Sequence, residues 1–591
     1  MPLTQTTNKE NYVSKATLAN WSRLNSSNEQ RLCRRANKIF SDKKVLCTDD
    51  LTTPDFEFFI QKVIELNSKI EDIIFSLCID KLKYFNILNK QSVKQSLAEY
   101  NYTFIDFFEN TYQKFQSDKD FIGKVYQSLT IEGIRNQNGI YYTPYTIAEK
   151  LLKDISIGKD ELFLDPCCGS GVFLCSAKTD YPENIYGIDI DPIAVMIAKT
   201  NLLCKYSDKE FMPNIFCFDF LSSENIFCTN EQRKILNQQK YDYIFTNPPW
   251  GNKLSEYKSE NIKSKEKASL FIEKSCKILN IGAKISFVLP SSIVYIKIHS
   301  DIRKYLIQNT DISNIIFFNE RFSGVFTDFV NISMSFPKKN INELSYTIER
   351  ADESFSVTTN IETLKPDYSF ILYNNTEQTI ISKMEAYRND NLSNSLWALG
   401  IVTGNNKEKI KTHYLDGLEP IYTGKEICKF TIKQPKCYIL YDRTQLQQCA
   451  KDSFYRAKEK LLYKFISKSL TFAYDDSSAL VLNSANILIP QIETMSIKSV
   501  LCFLNSELYQ FAYTSKFSDI KVLRTNLEQL PFPKLSLEED KYFTELTNNI
   551  LSGKSELINE VNNAVYDKFN ISTAEQEYIK RKLYEKTPKR A

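Results

Sequence analysis

A chain of 591 residues is too long for a single hydrophobic core and implies several domains. Its 42% apolar and 25% charged residues fit a globular protein, and no apolar run approaches the roughly 20 residues of a membrane span. The net charge is only +3, so attraction to a polyanion must come from local clusters, and two histidines exclude a His-rich metal site.

Residues 1–50 are polar and Asn-rich, with a basic patch at Arg31, Arg34 and Arg35. From Phe56 to Gln127 apolar residues recur at helical spacing, as in FEFFIQKVIELNSKIEDIIFSLCIDKL. Residues 1–125 therefore read as an N-terminal helical region, a scaffold that braces the next domain. From about Leu151 to Phe336, short β-rich runs alternate with amphipathic stretches: LFLDP (162–166), NIYGIDI (184–190), NIFCFDF (214–220), YDYIFTN (241–247), KISFVLP (284–290), ISNIIFFN (312–319) and NISMSF (331–336). Such alternation predicts an α/β domain over 126–345, a doubly wound and mostly parallel sheet with helices on both faces. Ligands of such sheets sit at the carboxyl ends of the strands. Asp165, Asp189, Asp219 and Asn247 each fall at or near such an end. Beyond about Asp352 the alternation is lost. Mixed segments with Gly and Pro turns predict a mixed α/β domain over 346–540. A helical segment over 541–591 closes the chain, where Thr573 with Gln576 suggests a capped helix start.

Four motifs carry chemistry. In FLDPCCGSGVFL (163–174) a strand runs through Asp165-Pro166 into Gly169-Ser170-Gly171 and then a helix. Glycines allow close approach of backbone to a ligand, and the new helix offers free N–H groups. The third glycine of a dinucleotide fingerprint is missing, and an acidic residue at the strand end suits a cationic or amine-bearing ligand. An ordinary strand-helix turn is the plain alternative. In YGIDIDP (186–192), about 20 residues on, Asp189 can take both hydroxyls of a ribose, whereas Asp191 reads as a helix cap. In CFDFL (217–221), Asp219 can accept a hydrogen bond from an adenine amino group, although alone it reads better as a turn residue.

The fourth motif is Asn247-Pro248-Pro249-Trp250, directly after a strand that the prolines must end. The Asn247 side-chain oxygen and the Pro248 carbonyl are both acceptors, so together they can hold both hydrogens of an exocyclic NH2 group. Trp250 can stack on the ring that carries the amine. A proline-stiffened turn with a packed Trp is the alternative. The pair Cys167-Cys168 has no partner at metal-ligand spacing and reads as packing, so no metal is expected. Fourteen cysteines without a CxxC pair, in a chain without a signal peptide, point to reduced thiols and a cytoplasmic location.

In this order the motifs resemble those of S-adenosylmethionine-dependent amino-methyltransferases of class I, specifically the gamma-class N6-adenine DNA methyltransferases with a fused C-terminal target-recognition domain, as in type IIG systems. The resemblance covers roughly residues 125–340. It implies a class I methyltransferase sheet and S-adenosylmethionine as cofactor. It places Thr143, within GIYYTP (139–144), and Asp165, Pro166, Cys167, Cys168, Gly169, Gly171, Asp189, Asp219 and Pro249 at the cofactor. It makes Asn247, Pro248, Pro249 and Trp250 catalytic. GVFTDF (324–329) is similar to a later segment whose aromatic packs on a flipped base, which nominates Phe326 opposite Trp250. The family tetrapeptide often ends in Tyr or Phe, so Trp250 is a departure that bears on pocket shape.

An adenine amine in a duplex is reachable only if the base is flipped out, so double-stranded DNA is the implied partner. LGIVTGNNKEK (399–409) and EPIYTGKEICKF (419–430) resemble target-recognition segments. Between Asn405 and Lys468 there are 14 Lys or Arg against 7 Asp or Glu, which suits phosphate contacts, while a solvated Lys-rich face is the plain alternative. Residues 1–130 show no convincing Glu-x-Lys on a β-rich run, so methylation without cleavage is expected, with any restriction endonuclease a separate protein. N4-cytosine methylation, a glutamine or RNA substrate, and a non-catalytic DNA-binding partner in a defence complex remain alternatives.

Overall fold

The β-rich runs of the middle region become neighbours in one nine-stranded sheet of the computed structural model, which describes residues 54–130, 143–222, 240–251, 257–264, 266–318, 328–351, 353–517 and 521–584. In chain order the strands are β1 (Phe163–Asp165), β2 (Ile185–Asp189), β3 (Asn214–Cys217), β4 (Tyr241–Thr246), β5 (Leu279–Pro290), β6 (Asp311–Phe317), β7 (Phe329–Ser335), β8 (Glu343–Arg350) and β9 (Glu353–Asn360). Across the sheet they run β3-β2-β1-β4-β5-β7-β6-β8-β9. The strands from β3 to β5 are parallel, and β7 is inserted antiparallel between β5 and β6. The strand order reverses between β1 and β4, which opens a crevice at their carboxyl ends. Asp165 ends β1 and Asn247 comes directly after β4, so the topology alone brings them to one place. Strands β1 and β4 are buried almost throughout, as expected of parallel strands covered on both faces.

The helices that matter for the site are α1 (Ile70–Tyr84), α2 (Phe121–Leu129), α3 (Tyr145–Leu151), α4 (Val172–Ser176), α5 (Pro192–Lys205) and α6 (Lys267–Lys277). Every residue of α5 from Ile193 to Cys204 is buried. A helix without a wet face must be packed on all sides. On one side Val195, Ala198 and Leu202 join Val172 and Leu174 of α4 and Ile185 of β2 in the sheet core. On the other, Ile193, Met196 and Ile197 join Ile74 and Leu77 of α1 and Phe121 and Val125 of α2. The helical region and the sheet thus share α5.

The boundary expected at 345/346 falls inside β8, and the first compact unit continues to Phe370. Strands β8 and β9 form an antiparallel hairpin that extends the sheet from β6. No helix separates them, so the strand-helix alternation gave no sign of them. After this hairpin, the fully buried Arg303 closes the unit. Its guanidinium donates to the carbonyls of Ile293, Ile296, Asp367 and Tyr368 at 2.7–3.1 Å.

From Ile371 a second compact unit begins. It holds two four-stranded sheets. One is formed by Leu396–Leu399, Ala485–Ile489, Lys460–Lys464 and Phe472–Asp475, the other by Ile410–Lys411, Tyr438–Ile439, Glu419–Tyr422 and Leu480–Val481. The helices Ile497–Asn505 and Glu507–Lys516 pack with Leu537–Leu551, Ile558–Lys568 and Thr573–Tyr584 around Phe503, Tyr509, Phe532, Phe543 and Phe569. The boundary expected at 540/541 therefore lies within a helix, and the last helices share the core of the segment before them. The cap of the last helix is Ser572 rather than Thr573. Glu575 N–H donates to Ser572 Oγ at 3.4 Å, and Ser572 N–H donates to the Glu575 carboxylate at 2.7 Å. A carboxylate is the better return acceptor, so the box closes one residue earlier than Thr573-Gln576 suggested.

Candidate functional site

The site grows from the ends of β1, β2 and β4. Asp165, 1% exposed, ends β1 and accepts from the Thr246 hydroxyl at 2.6 Å and from the Cys167 N–H at 3.2 Å. Thr246 is the last residue of β4 and has one proton, which this bond commits. The Cys167 thiol lies 2.9 Å from Thr246 Oγ1 and 3.3 Å from the Asn247 carbonyl, so it donates toward that pair of oxygens. A continuous polar chain thus joins the turn after β1 to the first residue of the Asn-Pro-Pro-Trp segment. Burial pushes the Asp165 carboxyl from 3.8 to about 7; the bonds from Thr246 and Cys167 oppose the shift, and the Asp189 charge adds to it. Burial also holds the Cys167 thiol well above its ordinary range, so it stays protonated and serves as a donor.

The Gly169-Ser170-Gly171 turn lies against α5. Gly171 has φ +86°, and a Cβ there would meet Ala198 Cβ at 3.1 Å and Ala198 Cα at 3.2 Å. Cys168, buried, donates its N–H to the Ile188 carbonyl at 2.9 Å. Gly169 N–H donates to Asp189 Oδ2 at 2.8 Å, while Asp191 N–H donates to Asp189 Oδ1 at 3.0 Å. The two turns are thereby tied through one carboxylate. Burial raises Asp189 to about 6, against the pull of those N–H groups. Asp191 caps α5 by accepting from Ile193 N–H at 2.9 Å, as its position suggested. It also accepts from the Tyr126 hydroxyl of α2 at 2.6 Å.

Asp219 lies two residues beyond β3. Its Oδ1 accepts from Leu221 N–H at 2.9 Å, which is the turn role. The neighbouring Phe218 N–H donates to the Asp189 carbonyl at 2.9 Å, so Asp219 is nevertheless held beside the β2 turn. Pro166 and Pro248 are buried; Asn247, Pro249 and Trp250 are half-buried. Trp250 packs against the cluster that contains Phe245, Val288 and Phe329. Thr143 is buried just ahead of α3. Phe326 and the residues Gly139–Tyr142 of the GIYYTP segment lie outside the described residues. Thr246 was not singled out from sequence; a β-branched hydroxyl residue just before Asn247 was the available signal.

The comparisons with known proteins agree with this layout. Residues 183–326 match the Eco57I restriction-modification methylase family, and residues 419–532 match the TaqI-like C-terminal specificity domain. The type II methyltransferase M.VspI of Vibrio sp. (strain 343) is 30% identical over 323 residues, covering 52% of this chain and 75% of that protein. The type II restriction enzyme and methyltransferase RM.BcgI of Heyndrickxia coagulans is 25% identical over 286 residues, 45% of this chain but only 39% of that one. The solved structure of the type IIL restriction-modification enzyme MmeI in complex with DNA is similar at TM-score 0.53 and 14% identity, over 98% of this chain and 97% of that one. The α/β unit has the class I methyltransferase fold. With its Asn-Pro-Pro-Trp segment tied to a glycine turn at the switch point of that fold, the chain belongs to the type II methyltransferases of restriction-modification systems.

Proposed function

We propose that the chain methylates the exocyclic N6 amine of adenine at a specific site in double-stranded DNA, with S-adenosylmethionine as methyl donor. The observation that carries this reading is the polar chain from Asp165 through Thr246 and Cys167 to the Asn247 carbonyl. It joins the candidate cofactor turn to the candidate amine-binding segment with no element between them.

The residues present fit S-adenosylmethionine. Two desolvated carboxylates, Asp165 and Asp189, stand at strand ends beside a glycine turn that lets backbone come close. A cationic ligand relieves the cost of ionising buried acids. In this reading Asp189 takes the ribose hydroxyls, and Asp165 and Thr143 the methionine end. When bound, S-adenosylmethionine supplies an electrophilic methyl group on a sulfonium. Asn247 Oδ1 and the Pro248 carbonyl accept the two hydrogens of the adenine amine, which orients its lone pair. Trp250 stacks on the extruded base, with Phe326 proposed for its other face. Positioning and exclusion of water supply the rate, without a general base.

The TaqI-like specificity match over 419–532 supports target choice by the second unit. We further propose methylation without intrinsic cleavage. The described residues 54–129 are built of helices, whereas a Glu-x-Lys nuclease centre needs a strand pair. The test is single-molecule sequencing of DNA from a methylation-free host that expresses the chain. N6-methyladenine at one short motif is expected. N4-methylcytosine at that motif would overturn the base assignment, and cleavage by the purified chain with Mg²⁺ would overturn the second proposal.

A further inference from the structure

Lys81 is buried at 6% exposure in α1, within the helical region, where nothing in the proposed chemistry uses a cation. Its ammonium lies 4.9 Å from the centroid of Tyr112 and donates to Asn201 Oδ1 at 2.7 Å. Asn201, 4% exposed, belongs to α5 and donates its Nδ2 to the Ser170 carbonyl at 2.9 Å. Ser170 is the middle residue of the glycine turn and is 1% exposed. The amide orientation is fixed by its neighbours, because an ammonium only donates and a carbonyl only accepts. A desolvated ammonium is costly, and a cheaper packing residue would fill the same place. Ala198 and Asn201 are one helical turn apart. The first leaves room for Gly171, and the second grips the carbonyl one residue before it.

We propose that Lys81 and Asn201 are positioning residues that hold the Gly169–Gly171 turn in its cofactor-binding shape, so that the N-terminal helical region is part of the cofactor site. Asn201 fixes the direction of the Ser170 peptide, and Lys81 fixes the direction of the Asn201 amide. The glycines on each side of Ser170 carry little intrinsic preference for one geometry, so the turn depends on its bonds: Gly169 N–H to Asp189 Oδ2 at 2.8 Å, Gly171 N–H to the Cys168 carbonyl at 2.8 Å, and Asn201 Nδ2 to the Ser170 carbonyl between them. This inference rests on the reading of that turn as the S-adenosylmethionine site.

The test uses the full chain and calorimetric titration with S-adenosylmethionine. Lys81→Met keeps the buried stem and removes the donor; Asn201→Asp keeps the shape and replaces the donor to Ser170 by an acceptor; Lys81→Arg keeps a donor. Lys81→Met and Asn201→Asp are expected to weaken binding at least fivefold, with affinity restored to within about twofold by Lys81→Arg. KM for the cofactor is expected to rise while kcat at saturating cofactor and KM for DNA hold, which a general loss of fold would not produce. If Lys81→Met does not fold, Asn201→Asp decides. Kd within twofold of the parent in the folded variants overturns the positioning role. A parent chain that binds no S-adenosylmethionine overturns the cofactor reading itself, and the two failures are thus told apart.

Discussion

In the proposed mechanism, acceptors on the adjacent residues Asn247 and Pro248 hold one NH2 group, and either alone would leave the amine free to rotate. Asn247→Ala is therefore expected to lower kcat at least a hundredfold, with DNA affinity within about threefold of the parent, as read by single-turnover methylation and equilibrium binding. Equal losses in both would remove the assigned role. Asp165 gives a second expectation. Its folded-state value of about 7 lies above the ordinary 3.8, so the folded protein holds a proton that the unfolded chain releases. Its contribution to stability is fully present below about pH 4 and is lost as pH rises through about 7. Asp165→Asn should therefore flatten the fall in unfolding free energy between pH 4 and 7, by up to about 4 kcal/mol, in cofactor-free denaturation curves. It should also weaken S-adenosylmethionine binding at pH 8. The strand-end positions of Asp165, Asp189 and Asn247 were legible in the sequence because each sits at the end of a β-rich run. Thr246 and Lys81 were not, because their partners lie 81 and 120 residues away. A hydroxyl in a strand and a lysine in a helix carry no mark of such pairings.

Among the elements, the turn between β1 and α4 is constrained by a glycine in the left-handed region facing α5. Gly171 has φ +86°, and a Cβ added there would lie 3.1 Å from Ala198 Cβ. Gly171→Ala should cost at least about 1–2 kcal/mol from the left-handed backbone alone, in urea titrations, and should also weaken cofactor binding. Ala198→Gly should recover part of that loss by removing the facing methyl. The seven strands β1 to β7 were readable from their apolar runs and the segments between them. The β8–β9 hairpin was not, because β9, ESFSVTTN, has a single buried residue, Val357. A polar outermost strand suits a sheet edge, where an apolar one would invite pairing with other chains, but in sequence it resembles a loop.

The molecule as a whole divides after Phe370, not at 345, and its first unit carries every residue assigned to methyl transfer. A chain ended at residue 370 is expected to bind S-adenosylmethionine within about threefold of the parent and to lose site-specific methylation. A chain ended at 345 would cut β8 and discard the carbonyls that Arg303 holds, and it is expected to be insoluble. Arg303→Leu in the full chain should reproduce part of that defect, destabilising the first unit by at least about 2 kcal/mol, because the carbonyls of Ile293, Asp367 and Tyr368 lose the guanidinium donor while that of Ile296 keeps only the His299 N–H. The sequence showed that a recognition-like region lies beyond the sheet, since the basic excess and the Gly and Pro turns mark a change of composition. The boundary itself depends on strand pairing and on one buried arginine, neither of which has a local signature.

The Arg303 clasp on residues 367 and 368 has an evolutionary consequence. The Arg303 bonds to Asp367 and Tyr368, and the Phe370 N–H bond to the Val294 carbonyl at 2.9 Å, all lie within residues that are kept when everything after Phe370 is exchanged. Under the proposed division of labour, in which the second unit chooses the target, recombination at this seam would bring new target sequences without disturbing the chemistry. A chimera that joins residues 1–370 to the corresponding C-terminal unit of a relative should methylate the relative's site, whereas one joined at 345 should not fold.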